Sequence, residues 1–191
     1  MRYRPEHKVE VHRKILKDAS RRVRAEGIAG VAVSSVMQDA GLTNGGFYKH
    51  FASKDELLAE SLSEAFREMS DRLTQVAEQS EPGMAWKALV KAYLSPEHCD
   101  HPEAGCPVAA LAPELARAGH VMKGAIRREM LQYKNRMLPL MPGRRAADRE
   151  RAFSAIFSTM IGAVAVARIL PDQAERARVL ARARDFLLRS F

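Results

Sequence analysis

The side chains with the most chemistry to offer lie in two stretches. In the first, Thr43, Asn44, Tyr48, Lys49 and His50 all carry groups able to hydrogen-bond phosphate oxygens or base edges. Gly45 and Gly46 stand among them, each costing a helix about 1 kcal/mol relative to Ala. Local rules are often broken at functional sites, and bare glycines let a backbone approach another surface closely. In the second stretch, His98, Cys99, His101 and Cys106, with Asp100 and Glu103, are the residue types of a zinc site. Their spacing matches no standard finger, and neighbours such as His98 and Cys99 rarely face one ion, so no metal is expected. Cys99, beside charged residues, is expected to be exposed, whereas Cys106, followed by Pro107, has two readings. It is either a thiol activated by a helix N-terminus and open to electrophiles or oxidants, or a buried and inert small residue. No Ser/His/carboxylate arrangement or glycine-rich phosphate cradle stands out, so no catalytic residue, cofactor or enzymatic activity is expected.

The first stretch needs elements to hold it. Val33, Val36, Met37 and Ala40 repeat at helical spacing, giving a short helix over 33–40. Gly41 suits the left-handed exit from that helix, Leu42 turns inward, and Thr43 is placed to cap a second helix reaching Phe51. Phe47 and Phe51, four apart, form its inner side. Two short helices joined by a tight glycine turn make a helix-turn-helix over about residues 32–51. Upstream, Val11, Ile15, Ala19 and Val23 make the inner stripe of a helix over 6–26, ended by Gly27, that braces the motif. Arg2, Arg4 and Lys8 at its start either touch a nucleic-acid backbone or are solvated.

Charge is distributed in the same sense. Residues 1–54 carry 11 Lys and Arg against 5 Asp and Glu, whereas the remainder carries 20 against 18. Positive charge therefore concentrates on the segment bearing the motif, as a phosphate-binding face requires. Of the 191 residues 47% are hydrophobic and 28% charged, which allows a real core and argues against disorder. Two cysteines are too few for a disulfide framework. The charged start shows no signal peptide, and the uncharged run 152–167 reads as too short for a membrane span. A soluble cytoplasmic protein with no membrane partner is the expectation.

Beyond the motif the pattern is helical, with almost no strand signal. Ser53 and Glu56 form a capping box that opens a long helix to about Glu78, roughly 37 Å at 1.5 Å per residue. Such a rod is a natural lever between two functions. Further helices follow over 84–94, after Pro107 (disturbed by Pro113), 119–138, 146–170 and 171–190, with 95–107 the least regular segment. Phe66, Met69, Trp86, Tyr93, Met122, Met130, Tyr133 and Phe157, with Cys106, are candidate lining for an apolar effector pocket, or ordinary core. The helix over 146–170 is apolar nearly all round, with small residues that let another helix pack closely. A two-fold dimer contact through Ala155, Ser158, Thr159, Gly162 and Val166 explains this better than a central core helix.

The run Ala40-Gly41-Leu42-Thr43, Gly46-Phe47-Tyr48-Lys49-His50-Phe51, Ser53-Lys54 and Leu57-Leu58 closely resembles the DNA-binding domain of the TetR/AcrR bacterial transcriptional regulators. The resemblance is strong over about the first 60 residues and is renewed over 93–117, where Gly105-Cys106-Pro107 borders the effector pocket in a subgroup. It implies an all-α fold of about nine helices. A three-helix DNA-binding domain over 1–53 would be followed by an effector-binding and dimerisation domain over 54–191. Thr43, Asn44, Gly45 and Lys49 would face the major groove of a double-stranded operator, and Tyr48, His50 and Lys54 would hold phosphates. The family usually opens the first motif helix with Thr or Ser; here Val31-Ala32 stands there, and Ser34 or Ser35 is the candidate replacement for that hydroxyl. The implied protein is a homodimeric repressor released from a palindromic site by a small apolar or electrophilic molecule. Two alternatives stay open: a metal- or thiol-dependent enzyme or sensor at His98–Cys106, and a helical module that has lost DNA binding.

Overall fold

A computed structural model describes residues 5–191; Arg2 and Arg4 lie outside the described residues. These residues form nine α-helices and three short 3₁₀ helices, with no strand among them. Helix α1 (Pro5–Gly30) presents Ile15, Ala19 and Val23 to the core; Gly27, at φ +81°, breaks it where the sequence pattern placed its end, but helical residues resume as far as Gly30. Helix α2 (Val33–Asp39) follows, then a 3₁₀ helix over Asn44–Lys49, where the sequence pattern suggested an α-helix reaching Phe51. Six residues with two glycines are too short and too unconstrained to propagate α-helical bonds. Thr43 is extended but makes no side-chain cap, correcting that expectation.

The turn between these helices behaves as its glycine demands. Gly41 sits at φ +76°. Its N–H donates to the Gln38 carbonyl at 2.9 Å, and that of Leu42 donates to Met37 at 2.8 Å. This pattern satisfies carbonyls that α2 would otherwise leave open. Lys14 donates to the Ala40 carbonyl at 3.2 Å, and Arg22 pairs with Asp39, so two cations of α1 hold the end of α2.

Helix α3 (Lys54–Glu78) is the expected rod. Ser53 accepts from the Glu56 N–H, while Glu56 reaches back to the Ala52 N–H instead of the cap residue's own. Helix α4 (Ala85–Tyr93) follows. The segment read as irregular is ordered: Ser95 caps α5 (Pro96–Asp100), a 3₁₀ helix spans Pro102–Ala104, and α6 (Pro107–Arg117) runs straight through Pro113. Helix α7 (His120–Met137) and a 3₁₀ turn (Leu138–Leu140) lead to α8 (Ala146–Ile169) and α9 (Gln173–Ser190), which pack on each other. By length and composition α8 is apolar enough to cross a membrane, contrary to the reading of its uncharged run as too short.

One buried joint ties α1 to the rest. The Arg24 side chain is 0% exposed and donates to Glu68 on α3 at 2.7 Å, to the Gly105 carbonyl at 3.1 Å and to the Ser20 carbonyl at 3.0 Å. Burial depresses its pKa, and Glu68 opposes that. Beside it, the Glu114 carboxylate on α6 accepts from the Ile28 N–H at 2.8 Å, just past the glycine break in α1. The carbonyl of Gly105 is presented by a histidine staple: His98 Nδ1 lies 2.7 Å from the Tyr93 carbonyl and Nε2 accepts from the Cys106 N–H at 2.9 Å. That geometry needs a neutral ring protonated on Nδ1, and burial brings its pKa from 6.5 to about 4.

Two predictions follow from the turn and the staple. Nothing lies within 4 Å of a Cβ built on Gly41, so Gly41→Ala isolates the left-handed backbone cost. It should lower stability by about 1–2 kcal/mol in urea titrations at fixed protein concentration. For His98, the unfolded chain takes up a proton that the folded one refuses between pH 6.5 and about 4. Its contribution is therefore complete above pH 6.5 and lost as the pH falls towards 4, up to about 3 kcal/mol. His98→Gln should flatten the stability profile over that interval.

Candidate nucleic-acid interface and effector clefts

Phe47 and Phe51 are 3% and 1% exposed, and they anchor the 3₁₀ helix to the core. With those two rings inside, helical geometry turns the remaining side chains outward. Thr43, Asn44, Gly45, Tyr48, Lys49 and Lys54 are exposed, as is Ser34 on α2. Tyr48 is 78% exposed, an unusual position for an aromatic ring with nothing to bind, and it stands edge-on to Phe47 at 5.2 Å. No atom lies within 4 Å of a Cβ built on Gly45, so that backbone is open to a close approach, whereas Gly46 rests on Met37. Ala32 is extended, and α2 has no side-chain cap; neither Ser34 nor Ser35 takes over that bond.

His50 is the exception to the outward row. It is half-buried, near the His12 ring, which itself stacks on Phe51 at 4.7 Å and contacts Glu60 at 2.9 Å. Burial, reinforced by His12, Lys8 and Lys49, lowers the His50 pKa, so the ring is a poor cation. Its Nδ1 is buried with no hydrogen-bond partner. Lys8 joins Thr43, Lys49 and His50 around a depression of about 550 Å³, which places it with the motif residues.

Of the candidate pocket residues, the structure divides rather than gathers them. Met69 and Tyr93 line a cleft of about 410 Å³ between α3, α4 and α5, completed by Arg72, Leu73, Glu97 and His101 among others. Met130 and Phe157 line a second cleft of about 350 Å³ between α6, α7 and α8. Phe66, Trp86, Cys106, Met122 and Tyr133 line neither and are packed in the core.

The His98–Cys106 stretch is not arranged for metal or thiol chemistry. Both His98 ring nitrogens are engaged, and among the described residues no three His, Cys, Asp or Glu side chains converge as ligands. Cys99, expected on the surface beside its charged neighbours, is 2% exposed on the inner side of α5. Cys106 is fully buried, and desolvation raises its thiol pKa despite its place at the head of α6 and the facing Tyr93 hydroxyl. A helix N-terminus activates a thiol only where the thiolate is not also stripped of water.

On α8, Ala155, Ser158, Gly162 and Val166 are exposed and Thr159 half-buried, while Ile156, Phe157, Met160 and Val164 are buried. The helix is thus half covered, with a strip of small and apolar residues left open, where its composition suggested cover nearly all round. Ile169 extends the exposed apolar surface, and α9 exposes Phe186.

Residues 15–61 match the family model of bacterial regulatory proteins of the tetR family. No curated protein matches the chain. Among solved structures, a TetR transcriptional regulator from Chloroflexus aurantiacus J-10-FL is 24% identical, with 95% of this chain and 94% of that one covered at a TM-score of 0.78. A TetR-family regulator from Cytophaga hutchinsonii is 16% identical over 98% and 97%, with a TM-score of 0.79. One from Agrobacterium tumefaciens is 19% identical over 95% and 98%, with a TM-score of 0.73. These likenesses show the fold over nearly the whole chain, and the N-terminal match covers the entire helix-turn-helix. Residues 15–61 thus carry the N-terminal domain of the tetR family, and the chain as a whole shares the fold of TetR-family regulators.

Proposed function

We propose that the protein is a homodimeric, effector-responsive repressor that reads a two-fold symmetric operator through Thr43, Asn44, Gly45 and Lys49. Tyr48, Lys54 and Ser34 hold phosphates, with His50 contributing as a neutral ring. The observation that carries this reading is the exposed Tyr48 ring amid polar and basic side chains, on a helix fixed from behind by Phe47 and Phe51. Residues 1–53 act as the DNA-binding unit and 54–191 as the effector and dimerisation unit. Such a protein works in the cytoplasm, where its operator is.

The exposed strip of α8 supports dimerisation. Small side chains let a symmetry-related helix approach closely, and its apolar surface is what a two-fold contact would bury. Two recognition elements must then stand roughly 34–36 Å apart to enter successive major grooves. An effector that prefers a different spacing weakens operator binding in proportion to that preference. The buried, desolvated Cys106 argues against an electrophilic effector acting on that thiol.

The reading is tested by fluorescence anisotropy on duplexes from the DNA flanking the gene. Tyr48→Ala should weaken binding about tenfold, the value of a hydrogen bond to a charged group. Lys49→Ala should reduce the slope of log K against log salt by about 1. Binding no tighter than to random DNA, with both substitutions silent, would contradict it.

A further inference from the structure

The cleft between α6, α7 and α8 has an unusually one-sided chemistry. Leu115, Ile126, Phe153 and Phe157 form its floor, each less than a tenth exposed, and the half-open Met130 and Leu131 form its lip. Every charged residue in its lining is a cation: Lys123, Arg127 and Lys134. Lys134 is paired with Glu150 at 2.8 Å, whereas Lys123 and Arg127 have no ion pair among the described residues. Long cationic side chains lay their alkyl stems along apolar surface and keep the charge at the rim. The result is an apolar trough with an uncompensated positive mouth.

We propose that this cleft binds an amphiphilic anion, an apolar chain or ring system carrying a carboxylate, with its body on Phe153 and Phe157 and its head at Lys123 and Arg127. The proposal rests on the reading of the chain as an effector-responsive regulator and names the effector class. A neutral molecule of the same shape gains the floor without the rim, and a cation is repelled by it. A second copy of the chain is not the natural occupant. At 3.6 residues per turn, Phe153 and Phe157 lie on the side of α8 opposite Ala155, Ser158, Gly162 and Val166, so a dimer formed through that strip leaves the cleft open.

The cleft also has a route to the DNA-binding unit. Leu115 in its floor directly follows Glu114, whose carboxylate holds the Ile28 N–H at the break in α1. An occupant that shifts Leu115 therefore acts on the bond that fixes the end of α1, and that amide reports occupancy.

The test uses the full chain, without DNA, so a failure of operator binding is read separately. Isothermal titration calorimetry would compare decanoate with decanol and decyltrimethylammonium, on the wild type and on Lys123→Glu/Arg127→Glu. Decanoate should bind more tightly than decanol, and both more tightly than the cation. The double substitution should cut decanoate affinity about tenfold or more while leaving circular dichroism unchanged. Should that variant misfold, Lys123→Gln/Arg127→Gln should give a smaller loss in the same direction. Hydrogen exchange at the Ile28 amide should change when decanoate binds the wild type. Equal affinity for decanoate and the cation, or a folded variant that binds decanoate as the wild type does, overturns the site. Weaker self-association of the variant with no decanoate binding overturns it in favour of a second copy as occupant. Decanoate binding without any change at Ile28 overturns the link to α1.

Discussion

A buried guanidinium cannot be left without partners, and the placement of Arg24 makes that constraint govern the whole molecule. Its ligands come from its own helix, from Glu68 on the rod and from the carbonyl of Gly105. Stranding a buried charge costs on the order of 3–5 kcal/mol, somewhat less here because Glu68 keeps contact with water at 30% exposure. Helix α1 therefore cannot drift relative to α3 or to the 102–106 segment. It can only move with them, or leave in a discrete step that breaks a set of bonds together. Coupling between distant sites needs an element with such distinct arrangements, and a joint of this kind supplies one.

The same joint explains why the 95–107 stretch is built as it is. His98, held neutral between the Tyr93 carbonyl and the Cys106 N–H, fixes the turn that offers the Gly105 carbonyl to Arg24. Arg168 on α8 donates to the carbonyls of His98 and Cys99 from the other side. Residue types that suggest a metal or redox centre thus serve as a structural bracket between the two halves of the chain. The cleft between α3, α4 and α5 is lined in part by His98, His101, Glu103 and Ala104 of this bracket, and the floor of the other holds Leu115, next to the Glu114 that bonds the Ile28 N–H.

Much of the motif was legible because its determinants are local. Gly41 was recognisable as a left-handed exit, Phe47 and Phe51 as an inner pair four apart, and Ser53 as a cap, since each depends on neighbours within a few positions. The 3₁₀ geometry of Asn44–Lys49 was not, because propensity scales separate helix from non-helix better than one helical type from another. Segment 95–107 carried a readable start in Ser95 followed by Pro96, but a five-residue helix has no periodicity to reveal its inner side. That is why Cys99 passed for a surface residue. Nothing local in the sequence sets Arg24 apart from the other cations of α1, as its partners lie 44 and 81 positions away. On α8 the apolar composition hid a division between a packed side and an open strip, which only the packing of neighbouring helices draws.

Selection from a random duplex library by the purified chain tests the central claim most directly, since it asks for DNA recognition and two-fold symmetry together. The account predicts enrichment of an inverted repeat whose half-sites are centred about one helical turn, or a multiple of it, apart, lost when Tyr48 is replaced by Ala. A pool that shows no enrichment, or an unsymmetric motif indifferent to Tyr48, would contradict it.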